Sequence, residues 1–411
     1  MNQENMIQKL REARKSAGLS QQTVAEALGL PRTAITQIES GNRSISTLEL
    51  AQLAQLYRRA ISDFFDESSS LTEDPLVALY RMEPDLYADK ETQGKLAHYL
   101  DLCSVGSNLQ RLLERSQLNV PPYYEQRTPS GAYEAITQGT RVADNERQRL
   151  NIADASIADT AELITGQGVW ACGVALPNNI SGIFLHHKSI GMAVLVNFKH
   201  VRARKRFSYA HEYGHVLMDR GREISISSRD NASELMEKRA NAFAAAFLMP
   251  ADGVRSLLLK LGKGQPSRQA SIVFDVASDG SVDAQARSSP GSQIITYQDV
   301  AQVAHYFGVS YQATVYRLRS LNVLSQSECS DLLEQYNIGR EYLQALQLFD
   351  DLEEREASSA ADRELISQVA QLALEAFRQE QITKAKLLEI GRKLDIPNKK
   401  LMRLAEATRA H

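Results

Sequence analysis

Apolar positions recur at helical spacing along most of this chain, and at strand spacing in one short stretch near its middle. In "MIQKLREARKSAG" Ile7, Leu10 and Ala13 or Ala17 share one helical face, and Gly18 supplies a stop. Ser20 then stands as an N-cap for "SQQTVAEALG", which ends at Gly29, while "RTAITQIESG" ends at Gly41 and "STLELAQLAQLYR" makes a fourth helix. The acidic, serine-rich "DESSSLTEDP" that follows is expected to be a solvated linker. Residues 94–115 and 133–164 are helical in pattern, separated by the irregular "LNVPPYYEQRTPSG". Strand-forming runs come next, "GVWACGVAL", "GIFLHH" and "MAVLVNF", broken by "PNNIS" and "KSIG", and they predict a small sheet with hairpin connections. Two further helices, around "SYAHEYGHVLM" and "SELMEKRANAFAAAFLM", lead to a Gly-, Ser- and Gln-rich stretch at about 262–293, read as a long loop with a short hairpin. The remainder is helical.

The expected fold class is therefore mainly α with a small antiparallel sheet. The expected segments are a helical domain over 1–66, a linker over 67–93, a helical connecting region over 94–150, an α+β domain over 151–325, and a helical region over 326–411. A length of 411 residues fits two to four domains. No apolar run approaches the roughly 18 residues that span a bilayer, and the start has no apolar signal region. A cytoplasmic protein without a membrane partner is the expectation. Cys103, Cys172 and Cys329 are odd in number and lack a C-x-x-C pair, so a metal site must use His and carboxylate. Net charge is −3, which confines any nucleic-acid contact to a local surface.

The chemistry concentrates at His211, Glu212 and His215. A helix sets i and i+4 on one face, so both imidazoles can meet one ion while Glu212 lies beside it. This is H-E-x-x-H, in which two His bind Zn²⁺ and the Glu takes a proton from water at the metal. A third ligand is needed. Glu237 on the next helix is favoured over Glu223 and Glu234, because Asn241, four residues on, can accept the second N–H of a ligating His. Ala240, Ala244 and Ala245 would let the two helices approach closely. His186, His187 and His200 read as ordinary strand-end residues. "MAVLVNF" is the expected sheet edge to which an extended substrate would add.

"RKRFSYAHEYGHVLM" followed by "EKRANAFAAAFLMP" resembles the ImmA/IrrE family of bacterial zinc metallopeptidases, over roughly residues 150–325. The resemblance implies that His211, His215 and Glu237 bind Zn²⁺ and that Glu212 is the general base. It also implies a helix-turn-helix repressor as substrate, cleaved when a stress or DNA-damage signal arrives. The serine-rich insertion before "ITYQDVAQVA" is a departure from the family pattern.

"LREARKSAGLSQQTVAEALGLPRTAITQIESGNRSISTLELAQLAQLY" resembles the Xre family of helix-turn-helix domains. That resemblance implies DNA binding, with the helix after Pro31 entering the major groove. Arg32, Thr33 and Gln37 are then the base readers, and Gln21 and Arg43 phosphate contacts. Eight Lys/Arg against seven Asp/Glu over residues 1–66 keep a second reading open, a module that binds protein instead. A single copy would bind DNA weakly, so operator recognition calls for a homodimer. Residues 381–411 hold eight Lys/Arg against three Asp/Glu, favouring a capping bundle with a solvated basic face over a second nucleic-acid contact. One further expectation concerns Cys103, whose thiolate could occupy the open zinc position at rest as a brake. The whole reads as a regulatory zinc endopeptidase. Its rivals are a transcription factor that keeps the metallopeptidase fold as a sensor, and an interaction protein.

Overall fold

The computed structural model describes residues 3–17, 19–57, 61–64, 75–83, 86, 90–114, 120–228, 230–264, 269–275, 280–286, 291–347 and 360–409. They form two compact units, residues 1–97 and 98–411.

The first unit contains α1 (Gln3–Ser16), α2 (Gln21–Leu28), α3 (Arg32–Ser40), α4 (Thr47–Leu56), a 3₁₀ turn (Ile61–Phe64) and α5 (Pro75–Met82). Its boundaries follow from capping. Ser20 accepts the Thr23 N–H, and Ser46 and Glu49 form a reciprocal capping box. Gly29 and Gly41 close α2 and α3 at φ 66° and 79°, a left-handed conformation that a side chain would strain. Leu10, Val24, Ile35, Ile38 and Leu53 are buried from different helices into one small core. Each contributes about 1.5–3 kcal/mol by leaving water. Buried Glu39 is held by Arg14 at 2.5 and 3.0 Å and by Gln21 at 2.8 Å, which ties α1 and α2 to α3.

The expected linker over 67–93 needs correction. The acidic stretch at 65–74 lies outside the described residues, but α5 follows it, with Leu79 fully buried, and Leu86 beyond it is buried too. The apolar "PLVALYRM" is reason enough for a packed helix.

In the second unit α6 (Lys90–Leu112), from His98 onward, and α7 (Ala132–Arg149) and α8 (Thr160–Thr165) precede a sheet of β1 (Trp170–Val174), β2 (Ile180–His187), β3 (Gly191–Asn197) and β4 (Ile224–Ser228). Between β3 and β4 runs α9 (Arg202–Met218), and after β4 come α10 (Leu235–Leu248) and α11 (Ala251–Lys260). A hairpin of β5 (Gln269–Asp275) and β6 (Gly280–Ala286) fills the Ser-rich stretch. Helices α12 (Tyr297–Phe307), α13 (Tyr311–Ser320), α14 (Gln326–Glu334), α15 (Tyr336–Gln347), α16 (Ala360–Arg378), α17 (Lys384–Lys393) and α18 (Asn398–Arg409) complete it.

The mainly α class with one small sheet is borne out, and the sheet itself is mixed. Its order is β1-β3-β2-β4, with β1 parallel to β3 and β2 antiparallel to both of its neighbours. Thus "MAVLVNF" is not an edge, as expected from sequence, but the interior strand β3; the edges are β1 and β4. The physical reason is pairing: β3 takes β1 on one side in parallel and β2 on the other antiparallel, whereas its burial from Met192 to Asn197 is shared by the edge strand β1.

One apolar core runs from Val142 and Ala143 of α7 through the sheet and α9–α13 to Leu343 of α15. The stretch 94–150 therefore does more than connect: α7 is part of this core. Gly139 makes that packing tight, since a Cβ there would overlap the Arg239 carbonyl oxygen. Gly214 similarly admits the Phe243 ring, which stacks on Phe247 at 5.2 Å between centroids. No single helix among the described residues is long and apolar enough to cross a membrane, and the bent pair of α10 and α11 that passes by length and composition places Phe243, Ala244, Phe247, Leu248, Val254 and Leu258 in this core.

Candidate metal centre

His211 and His215 stand one turn apart on α9, and Glu237 faces them from the first turn of α10. The Nε2 atoms of the two histidines are 3.2 Å apart. Glu237 meets them with Oε2 at 3.1 Å from His211 Nε2 and Oε1 at 3.4 Å from His215 Nε2. All three side chains are buried, and their ligand atoms lie within 4.8 Å of one another. Glu223 and Glu234 do not join them: Glu223 precedes β4, and Glu234 is the N-cap of α10.

The other ring nitrogens explain the convergence. His211 Nδ1 donates to Asn241 Oδ1 at 2.9 Å, and His215 Nδ1 donates to Asp219 Oδ2 at 2.8 Å. A carboxylate and an amide oxygen only accept, so the hydrogens sit on Nδ1 and the lone pairs on Nε2. Two lone pairs and a carboxylate aimed at one point repel unless a cation or a proton lies among them. Nitrogen and oxygen donors in this number suit Zn²⁺ with an open fourth position. The residues present therefore fit the ion. Burial works to lower the His215 pKa, but hydrogen bonds to Asp219 and Glu237 outweigh burial and push it up to about 10. Glu237 is held well below the carboxylate range, because its hydrogen bonds to both histidines overcome burial.

Glu212 is fully buried beside this point, and neither of its oxygens meets a hydrogen-bond partner in good geometry. Burial pushes its pKa up against the opposing pull of His211 and His215. The bulged start of β2 makes the space, because Gly182 lies under the carboxylate and a Cβ there would overlap Glu212 Oε1. Gly182→Ala is accordingly expected to lower stability by about 1–3 kcal/mol, the usual cost of overpacking. A denaturant melt checks it; an unchanged midpoint would show that Glu212 moves aside freely.

Sequence reasoning missed Asp219, although its spacing from His215 is again four residues. Cys103, expected as a resting zinc ligand, is not in the converging group. It is fully buried three residues before Gly106, which packs against the Trp170 ring of β1, and burial pushes its thiol up, away from the thiolate a metal needs. His186 Nδ1 lies 3.2 Å from the Arg220 carbonyl and His187 Nδ1 lies 2.8 Å from Ser189 Oγ.

In the first unit Arg32, Thr33 and Gln37 are exposed along one side of α3, together with Thr36, which was not singled out from sequence. The two expected phosphate contacts have internal tasks. Gln21 donates to Glu39 and accepts from Thr36 at 3.2 Å, and Arg43 pairs with Glu49 at 2.6 Å.

Comparison with known proteins agrees with this geometry. Residues 177–269, which hold β2 to α10 and all of the converging side chains, match the family model of the IrrE N-terminal-like domain, Peptidase_M78. Residues 10–64 match a helix-turn-helix family model. No curated protein and no solved structure matches the chain. The chain thus carries one segment similar to a helix-turn-helix domain and another similar to the IrrE N-terminal-like domain, which supports a regulator with a protease-like domain.

Proposed function

We propose that this protein is a cytoplasmic zinc-dependent endopeptidase that cleaves a helix-turn-helix repressor, in trans or within its own chain, when a stress or DNA-damage signal arrives, and so relieves repression. The observation that carries the reading is Glu212: a fully buried carboxylate whose polar neighbour Ser227 does not meet it in good hydrogen-bond geometry, beside two histidines and a glutamate whose donor atoms converge. A fold kept only for sensing would have no use for so costly a group. This favours the peptidase over a transcription factor with an inactive metallopeptidase-like domain.

Zn²⁺ held by His211, His215 and Glu237 would supply Lewis acidity toward a peptide carbonyl and toward water. The chain's own residues do the rest. Glu212 receives a proton from the attacking water and returns it to the departing amide nitrogen. Its raised pKa suits both tasks, since a stronger acid would hold the proton too weakly to give it back in time. Asn241 and Asp219 keep both imidazoles in the tautomer that leaves Nε2 free. The edge strand β4, beside β2 and thus next to Gly182, is where an extended substrate would add as a strand.

Incubation with a helix-turn-helix repressor encoded nearby, with and without damaged or single-stranded DNA, tests the reading. One specific cut is expected; an intact repressor under every condition would move the weight to the sensor. Zinc uptake should also displace the proton held at His215. About one proton is expected to be released per ion at pH 7, and affinity should rise as pH rises toward about 10. Titration calorimetry in buffers of different ionisation enthalpy measures this; no buffer dependence would contradict it.

For the first unit the proposal is DNA binding through α3, as a homodimer. Arg32→Ala or Gln37→Ala should weaken operator binding by roughly 5- to 150-fold, at about 1–3 kcal/mol per bidentate base contact. Footprinting decides it, and variants that leave the footprint unchanged would favour a protein-docking role.

A further inference from the structure

We propose that Arg239 is a positioning residue of the metal centre, acting on His215 through Asp219. The inference rests on the metal reading above and adds to it a residue on the far side of the ligand. Arg239 is 1% exposed, and its Nη2 donates to Asp219 Oδ1. Asp219 Oδ2 accepts from His215 Nδ1 at 2.8 Å, so each carboxylate oxygen has its own partner. Arg239 Nη1 donates to Gln138 Oε1 at 3.1 Å, which anchors the guanidinium to α7.

Geometry gives this chain its sense. Asp219 follows the last residue of α9 as its C-cap, with φ −126° and ψ 24°, outside the regular helix. A carboxylate there that touched only the imidazole could rotate about its own side-chain bonds and take the ring with it. Pinning the second oxygen removes that freedom and fixes the plane of His215. On α10 the three relevant positions divide the work. Glu237 and Asn241, four apart, share the face toward α9 and meet the imidazoles. Arg239, two residues on from Glu237, points about 200° around the helix, so it reaches Asp219 and Gln138 and leaves the ion's place open. One helix thus supplies a ligand, holds one histidine directly and holds the other through an aspartate.

Charge points the same way. Glu212, Asp219 and Glu237 are three carboxylates, all buried close together. Arg239 is a buried guanidinium in contact with this group, opposite in charge to the Asp219 carboxylate whose Oδ1 it pins.

The test compares wild type with Asp219→Asn, Arg239→Met and the double variant. Zinc affinity is read by competition with a chromophoric chelator, and site geometry by the visible spectrum of the Co²⁺-loaded protein. Thermal melts of the metal-free forms identify variants that remain folded. Each single change is expected to weaken zinc binding about 10–100-fold and to shift the Co²⁺ bands, as loss of a ligand's supporting partner does. The double variant should lose no more than the worse single, because the two residues act in series. Arg239→Lys keeps the charge but cannot grip both partners, and should fall between; it also stands in if Arg239→Met does not fold. If Arg239→Met or Arg239→Lys melts earlier but binds zinc with wild-type affinity and spectrum, Arg239 is packing alone and the proposal is wrong. Losses that multiply in the double variant would also overturn it. Failure of the wild type itself to bind zinc would instead remove the metal reading on which it stands.

Discussion

Glu212→Gln is expected to abolish repressor cleavage while leaving bound zinc in place. Glutamine keeps the shape of the side chain in the space above Gly182, and the position is not one of the three converging ligands. It cannot accept a proton, so the step lost is transfer from the attacking water, which general bases accelerate by about 10²–10⁴-fold. Stability should not fall and is expected to rise slightly. A fully buried carboxylate with no hydrogen bond of good geometry is a costly group, and its neutral amide is a lesser one. The combined readout is therefore distinctive: metal content unchanged, melting temperature equal or higher, cleavage gone. Retained cleavage would remove Glu212 from the chemistry. Loss of zinc would mean that the carboxylate is a ligand and that the site is built differently.

Glu237→Ala should cost the protein its zinc. The carboxylate spans both histidines, with Oε2 on His211 and Oε1 on His215, so its removal leaves the two Nε2 atoms, 3.2 Å apart, without their third ligand. Losing a direct ligand must weaken binding beyond the ~10–100-fold attached to a supporting partner. Purified protein is then expected to carry zinc well below one per chain and to be inactive. Glu223→Ala and Glu234→Ala are the controls, and both should keep the metal. The opposite pattern, zinc lost with Glu223 or Glu234 and kept without Glu237, would reassign the third ligand.

What the sequence made legible at this site were the relations that lie within one helix. His211 to His215, and Glu237 to Asn241, are each four residues apart, and helical periodicity alone puts each pair on one face. Asp219 obeys the same rule from His215 and was readable, but it falls at the end of α9, where the pattern of apolar residues no longer signals helix. Arg239 and Gln138 were not readable, since they meet across 101 residues through the packing of α7 on α10. Strand order was hidden for the same reason. Runs such as "MAVLVNF" announce a strand, yet only tertiary pairing decides that β3 lies inside the sheet and β4 at its edge. An unbroken apolar run does not decide it, because the edge strand β1 is as fully buried as β3. The caps at Ser20, Gly29 and Gly41 were legible because capping is local chemistry between a side chain or a glycine and the next turn. Cys103 could not be placed from sequence, because a cysteine in a helix carries no sign of which way it faces.

The most direct test of the central claim is X-ray absorption at the zinc edge on the full chain. The expected result is one zinc per chain with nitrogen and oxygen neighbours at about 2.0–2.1 Å, two imidazoles among them, and no sulfur. Absence of zinc, or a sulfur neighbour at about 2.3 Å, would contradict a centre made by His211, His215 and Glu237.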